Sequence, residues 1–323
     1  MVRLLAVLVL AGASANAQTI TTETFGSGAN AFSIEFVTIG NPGNEADTTG
    51  SPNPAGRVDY IYNLGKYEVS RDMITKANSI GSLEITISDM SGYGGNGVNR
   101  PATGVSWYEA AKFVNWLNTS TGGTAAYKFV DGTFQLWSST DAGYNANNLF
   151  RNSLAKYWLP SSNEWYKGAY GSPNGTWYNY PTGTDSAPTG VAGGTAANTA
   201  VNPEAYPTIQ GPADITNAGG LSAYGTMGQG GNAWEWMETT GDGSNSTAGE
   251  LRELRGGSWN SWYGTMDASN RSSFLPGNEG DNFGFRVASV PEPSSLSLLL
   301  AGGAVLMAGR RRNRGLKKSP YLD

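Results

Sequence analysis

Alternation of apolar and polar positions marks the first element of the chain. Phe32-Ser33-Ile34-Glu35-Phe36-Val37-Thr38-Ile39 puts most of its apolar side chains on one face of a strand. Tyr60-Ile61-Tyr62-Asn63-Leu64 repeats the pattern more weakly. The period then changes. Ser70 stands as a helix N-cap ahead of Met73, Ile74 and Ala77, whose spacing shares one helix face. Ser106-Trp107-Tyr108-Glu109 has capping-box spacing, in which the serine and the glutamate each satisfy a backbone N–H that the helix leaves open. Trp107, Ala110, Ala111, Val114 and Leu117 follow as one apolar stripe. Ser161 and Glu164 repeat the box, and Gly284 to Ser289 reads as a closing strand. Between these elements, residues 18–31 read as a polar, mobile lead, and residues 41–56, 171–223 and 260–282 as loop. No repeat of a fixed period is visible.

Two more apolar runs sit at the ends. Leu4 to Ala13 follows a short basic start and precedes Ala15-Asn16-Ala17, the pattern of a cleavable signal peptide over residues 1–17. Pro291-Glu292-Pro293 precedes an apolar span, residues 296–309, shorter than the ~20 residues of a stable membrane helix. Arg310, Arg311, Arg312, Arg314, Lys317 and Lys318 follow and would stay on the cytoplasmic side. This three-part tail over residues 290–323 resembles the PEP-CTERM sorting signal of Gram-negative bacteria. The resemblance implies an exosortase as partner, transient residence in the inner membrane, and delivery to the cell surface or the extracellular matrix.

Charge changes once the ends are set aside. They carry seven of the 21 Lys and Arg and two of the 26 Asp and Glu, leaving 14 against 24 and a net charge near −10. Such a surface repels phosphate backbones, so nucleic acid is not an expected partner. The chain has no cysteine and no histidine. Disulfides, Ser-His-Asp and Cys-His catalysis, and the usual zinc and non-haem iron sites are therefore excluded.

The internal motifs add a family. Gly65-Lys66-Tyr67-Glu68-Val69-Ser70, Pro101 to Leu117, Trp158-Leu159-Pro160-Ser161-Ser162-Asn163-Glu164-Trp165, Gly231-Asn232-Ala233-Trp234-Glu235-Trp236, Arg255-Gly256-Gly257-Ser258-Trp259 and Gly284-Phe285-Arg286 occur in this order. Together they resemble the formylglycine-generating enzyme / sulfatase-modifying-factor family over residues 32–289. The resemblance implies an α+β fold, C-type-lectin-like in the formylglycine-generating variant, with short helices, small antiparallel sheets and much ordered loop. One departure stands out: Trp158 takes a place where the family usually has arginine, which puts a charged contact in doubt.

The family's enzymes oxidise a sulfatase cysteine with two cysteines of their own. Carried across, those positions fall at Ser261 and near Met266. Serine and methionine cannot both hold copper and exchange with a thiol, so no catalytic residue is assigned and copper is not expected. Calcium is the candidate cofactor. The resemblance implies one site at Gly231, Ala233 and Glu235, weakened by Gly228 in place of the usual Asp or Asn. It implies a second at Asn198 and Thr199, with Glu204 and Tyr206 following in order. Arg255 and Arg286 read as structural. Trp177, Tyr178, Trp262, Tyr263 and Arg271 lie in loop sequence and are the candidates for a binding surface.

The expectation is an exported, non-catalytic surface or matrix protein that binds polysaccharide or another surface protein. The alternatives are an enzyme of the family using non-thiol chemistry and a matrix component without a specific ligand.

Overall fold

The computed structural model describes residues 19–205 and 211–291. The signal-peptide segment, Tyr206, Glu292, Pro293, the apolar span 296–309 and Arg310 to Arg312 lie outside them. The chain divides into two units, Met1–Ser289 and Val290–Asp323, and only Val290 and Pro291 of the second are described. Among the described residues no helix is long and apolar enough to cross a membrane.

Residues 20–25, expected as mobile lead, are instead a strand. β1 (Ile20–Phe25) pairs antiparallel with β2 (Phe32–Ile39), Ile20 opposite Val37 and Phe25 opposite Phe32. Its three threonines favour extended backbone without supplying an apolar face. Glu23 takes an ion pair from Lys156 at 2.8 Å and a hydrogen bond from the Tyr157 hydroxyl, which fastens this edge strand to the body. β2 continues to β3 (Tyr62–Gly65).

The three predicted helices form with their predicted caps. In α1 (Arg71–Gly81) the Ser70 hydroxyl accepts from the Met73 N–H. In α2 (Trp107–Ser120) and a third helix, α3 (Ser162–Tyr170), both halves of the capping box are made. The α2 stripe is buried to the last atom: Trp107, Ala110, Ala111, Val114 and Leu117 are all 0 % exposed. It packs under the first sheet in one apolar core that also holds Phe36, Leu64 and Phe285. Burying a side chain of this size is worth about 1.5–3 kcal/mol, so the stripe, more than helix propensity, holds α2 in place.

Five short strands follow α2. β4 (Lys128–Val130) and β5 (Thr133–Gln135) form a hairpin, β6 (Tyr157–Trp158) joins the first sheet, and β7 (Thr189–Val191) pairs parallel with β8 (Thr199–Val201). β9 (Trp234–Thr240) and β10 (Arg252–Arg255) centre the second sheet. β11 (Ser272–Phe274) forms inside a stretch read as loop and adds to β10. The predicted closing strand is split. β12 (Phe283–Gly284) runs parallel to β9, whereas β13 (Ala288–Ser289) inserts between β3 and β6. Arg286, between them, thus lies where the two sheets meet. Strand order is β1-β2-β3-β13-β6 in one sheet and β11-β10-β9-β12 in the other.

Candidate functional site

The loop after β10 carries the two positions where the family's enzymes place cysteine. Gly256 (φ 96°) and Gly257 (φ 70°) turn the chain there with positive φ, which glycine adopts without a Cβ penalty. Beyond the turn, Ser261 Oγ lies 2.8 Å from Ser258 Oγ and accepts from Trp234 Nε1 at 3.1 Å. Asn260 and Asn282 complete the group: the Asn282 amide donates to Ser258 Oγ and to Asn260 Oδ1. Neither partner of the Ser261 hydroxyl is a base. The cluster can hold hydrogen bonds but has no group to ionise a hydroxyl. Met266 is 0 % exposed and packs beside Gly231 and Gly257. Its thioether is core packing and is not presented to a ligand.

The segment read as a first calcium site is differently employed. Glu235 is fully buried and grips Arg286 with both oxygens, each at 2.6 Å, while Trp165 Nε1 donates to the same carboxylate at 2.6 Å. The remaining Arg286 N–H groups go to the carbonyls of Gly65, Lys66 and Met227. Glu68 lies beside this pair, accepting from the Asn232 amide at 2.7 Å and from the Ala233 N–H at 3.1 Å. Burial, and then the charge of Glu235, hold the Glu68 carboxyl well above the usual range, against the pull of Arg286. Glu235 is therefore the counter-ion of an arginine, with Gly231 and Ala233 as the backbone around it. Gly228 brings no side-chain ligand, and a Cβ there would stand 2.9 Å from Glu68 Oε2. These residues do not fit a calcium cage.

At the second implied site, Asn198 (φ 52°) accepts through Oδ1 from Thr182 Oγ1 at 2.9 Å and Thr184 Oγ1 at 3.2 Å. The Thr199 carbonyl accepts from the Gly220 N–H. Glu204 is exposed on a short 3-10 turn, Pro203–Ala205. Among the described residues no three acidic side chains come together in a way that could hold a metal.

The loop aromatics separate into two kinds. Trp177 is packed: its ring lies 5.6 Å from that of Tyr166, and a Cβ at Gly56 or Gly171 would run into the indole. It closes a small buried cluster with Trp165, Tyr166 and Tyr170, so its reading as an exposed platform is corrected. Tyr178 is half-buried and its N–H is bonded to the Tyr170 carbonyl. Trp262, by contrast, is 69 % exposed and Tyr263 is 40 % exposed, on a 3-10 turn, Tyr263–Met266. The Ala268 N–H bonds the Asn179 carbonyl, which ties this loop to the 177–180 loop. Tyr180 joins the same surface: burial, then the neighbouring Asp267 and Tyr263, raise its hydroxyl pKa. Sequence reasoning missed it because nothing local distinguishes it from a loop tyrosine. Arg271 faces elsewhere, on a polar cavity of about 330 Å³ lined by Asn148, Ser162, Asp242 and Glu253, and donates to the Gly241 carbonyl. Glu253, also on that cavity, is 1 % exposed and bonded to Arg255 at 2.5 Å.

The contact that Trp158 put in doubt survives by a different route. Trp158 Nε1 donates to Glu164 at 3.0 Å and 3.1 Å. Arg151 lies over the Trp158 ring at 4.6 Å and supplies the cation, 3.3 Å from Glu164 and 3.4 Å from Glu238. No local signal marks Arg151, which sits in loop sequence.

Several solved structures share this fold. Treponema denticola variable protein 1 is 20 % identical, with 84 % of this chain and 99 % of that one covered at a TM-score of 0.56. CarF is 18 % identical, with 80 % and 99 % covered at 0.59. PvdO from Pseudomonas aeruginosa is 17 % identical, with 83 % and 98 % covered at 0.51. At these identities the likeness extends to the fold alone. A search of curated protein sequences finds no match. The family's sequence profile, described as the sulfatase-modifying factor enzyme 1-like domain, matches residues 38–290. With the ordered motifs, the capped helices and the ion pair that closes the two sheets, this match shows that the chain belongs to the sulfatase-modifying factor enzyme 1-like domain family.

Proposed function

We propose that the protein is an exported, surface-sorted binding protein in which the sulfatase-modifying-factor scaffold serves recognition of polysaccharide or a surface protein and not catalysis. The observation that carries this reading is the fate of the two cysteine positions. Ser261 is held in a hydroxyl and amide cluster without a base, and Met266 is buried packing. Thiol oxidation needs two thiolates that can reach each other and the substrate, and a chain without cysteine supplies neither. Export and sorting by an exosortase are supported by the signal-peptide pattern and the Pro291-Glu292-Pro293 tail. The face around Trp262, Tyr263 and Tyr180 supports a binding role, because rigid scaffolds place recognition on such loops. Calcium stays in this proposal only at Asn198, where a side-chain carbonyl and the hydroxyls of Thr182 and Thr184 lie together.

The test is direct. The purified full-length protein is incubated with a cysteine-containing sulfatase-motif peptide, copper and oxygen, and in parallel is co-sedimented with the producer's extracellular polysaccharide. No formylglycine product together with saturable co-sedimentation is expected. Conversion of the peptide's thiol to an aldehyde would overturn the reading.

A further inference from the structure

A groove unrelated to the cysteine positions lies between the end of α1, the outer side of α2 and the β4–β5 hairpin. It encloses about 420 Å³, within the ~300–1,000 Å³ typical of small-molecule sites. Its apolar lining is the half-buried Phe129, Leu83 and one edge of Trp116. Its polar lining includes Lys112 and Glu84.

Three features set this groove apart. First, Trp116 is only 7 % exposed and its ring is stacked on Phe32, and its indole edge lines the groove, where the N–H has no acceptor among the described residues. Second, neither Lys112 nor Glu84 is in an ion pair among the described residues, so a cation and an anion stand uncommitted on one small concavity. Third, the walls are fixed. Asn115 clamps the hairpin to α2, donating to the Tyr127 carbonyl at 2.7 Å and accepting from its N–H at 2.8 Å. Positive φ at Ser82 (48°) and Glu84 (56°) turns the chain across the end of α1.

We propose that this groove is a saccharide subsite that takes one neutral pyranose unit of a polysaccharide. The apolar CH face of the ring rests on Phe129 and the Trp116 edge. Its hydroxyls accept from Lys112 and from the Trp116 N–H, and donate to Glu84. One positive and one negative rim group suit an uncharged, hydroxylated ring, and the domain's net negative charge disfavours an acidic one. The proposal rests on the polysaccharide-binding reading above and adds this groove as a contact beside the Trp262 face.

The test uses the full-length protein on an array of neutral, amino and acidic hexose oligosaccharides, with the variants Lys112→Glu, Phe129→Leu and Glu84→Gln, and with Leu154→Ala, at a residue 61 % exposed and outside the groove, as control. Thermal melts accompany each. Lys112→Glu and Glu84→Gln change solvent-facing groups, so they stay informative if Phe129→Leu loosens the hairpin. Binding to neutral glycans is expected, about tenfold weaker in each groove variant, as loss of one good partner implies, and unchanged in Leu154→Ala. Weak dependence on salt is expected as well. Neutral-glycan binding that survives the groove substitutions would overturn the subsite while leaving the polysaccharide reading intact. Binding confined to acidic glycans would overturn the neutral ring. Absence of binding to every glycan would remove both proposals.

Discussion

Replacing Arg151 with methionine isolates the buried charge cluster that stands in for the family's arginine. The substitution keeps the packing over Trp158 but removes the cation between two carboxylates, Glu164 and Glu238, both of whose side chains are 0 % exposed. Removing one partner of a buried ion pair costs about 3–5 kcal/mol, because the other is left charged and uncompensated. The lower end applies, since the Arg151 side chain is 16 % exposed and Glu164 keeps donors from Trp158, Ser161 and Tyr60. For a domain of this length about 3 kcal/mol corresponds to a fall in melting temperature on the order of 6–12 °C. The pH dependence identifies the cause. In the parent chain burial pushes the Glu164 carboxyl up, but Arg151 and the hydrogen bonds outweigh it, and the pKa is lowered. That contribution is present above the unfolded value of about 4.3 and is lost as pH falls through the folded one. Glu238 is already raised, by burial ahead of the opposing Arg151. Without Arg151 both carboxyls move upward, the folded state binds more protons than the unfolded chain, and the variant gains stability relative to the parent on acidification. Differential scanning calorimetry between pH 7 and pH 4 should show a gap that narrows as pH falls. A variant that melts within about 2 °C of the parent at pH 7, or a gap that is constant with pH, would refute the reasoning.

Four further outcomes follow from named contacts. Trp177→Ala should cost about 3 kcal/mol by emptying the space beside Tyr166, whereas Trp262→Ala, at a residue 69 % exposed, should leave the melting temperature unchanged; equal losses in calorimetry would contradict the assignment of the two rings. Gly228→Asp should lower stability by about 2 kcal/mol or more, because φ is 75° and the new side chain meets Glu68; rescue by added calcium would show that the segment can form a metal site after all. Arg252 donates to the carbonyls of Glu250 and Ala248 from a cage of Trp107, Phe134 and Phe150, so Arg252→Lys should destabilise by about 1–2 kcal/mol in urea titrations, since an ammonium cannot stack and fork at once. The double variant Ser261→Cys, Met266→Cys should form no formylglycine from the peptide above, because position 266 is enclosed; product formation would reopen the enzymatic alternative.

What the sequence made legible was local. Both capping boxes and the α2 stripe are relations among neighbours, and they form as read. β1 was not legible because its threonines carry strand preference without an apolar period, and its partner strand and its anchors Lys156 and Tyr157 lie elsewhere in the chain. The closing segment was legible as extended, but not as split, since the choice between two sheets depends on β3, β6 and β9 and not on residues 283–289 themselves.

The site followed the same division with higher stakes. The resemblance put the thiol positions at Ser261 and near Met266, yet only the packing distinguishes a hydroxyl in a hydrogen-bonded cluster from a thioether sealed in the core. Trp177 and Trp262 looked alike in loop sequence; Gly56, far upstream, leaves the space into which the half-buried ring of Trp177 packs. Glu235 looked like a metal ligand until Arg286, 51 residues on, closed on it. In each case the deciding partner is remote and its own local pattern is silent. A motif in this fold therefore reports where the backbone goes. What its side chains do is fixed by charge balance across the core, which is why Trp158 can replace an arginine once Arg151 brings the charge from another loop.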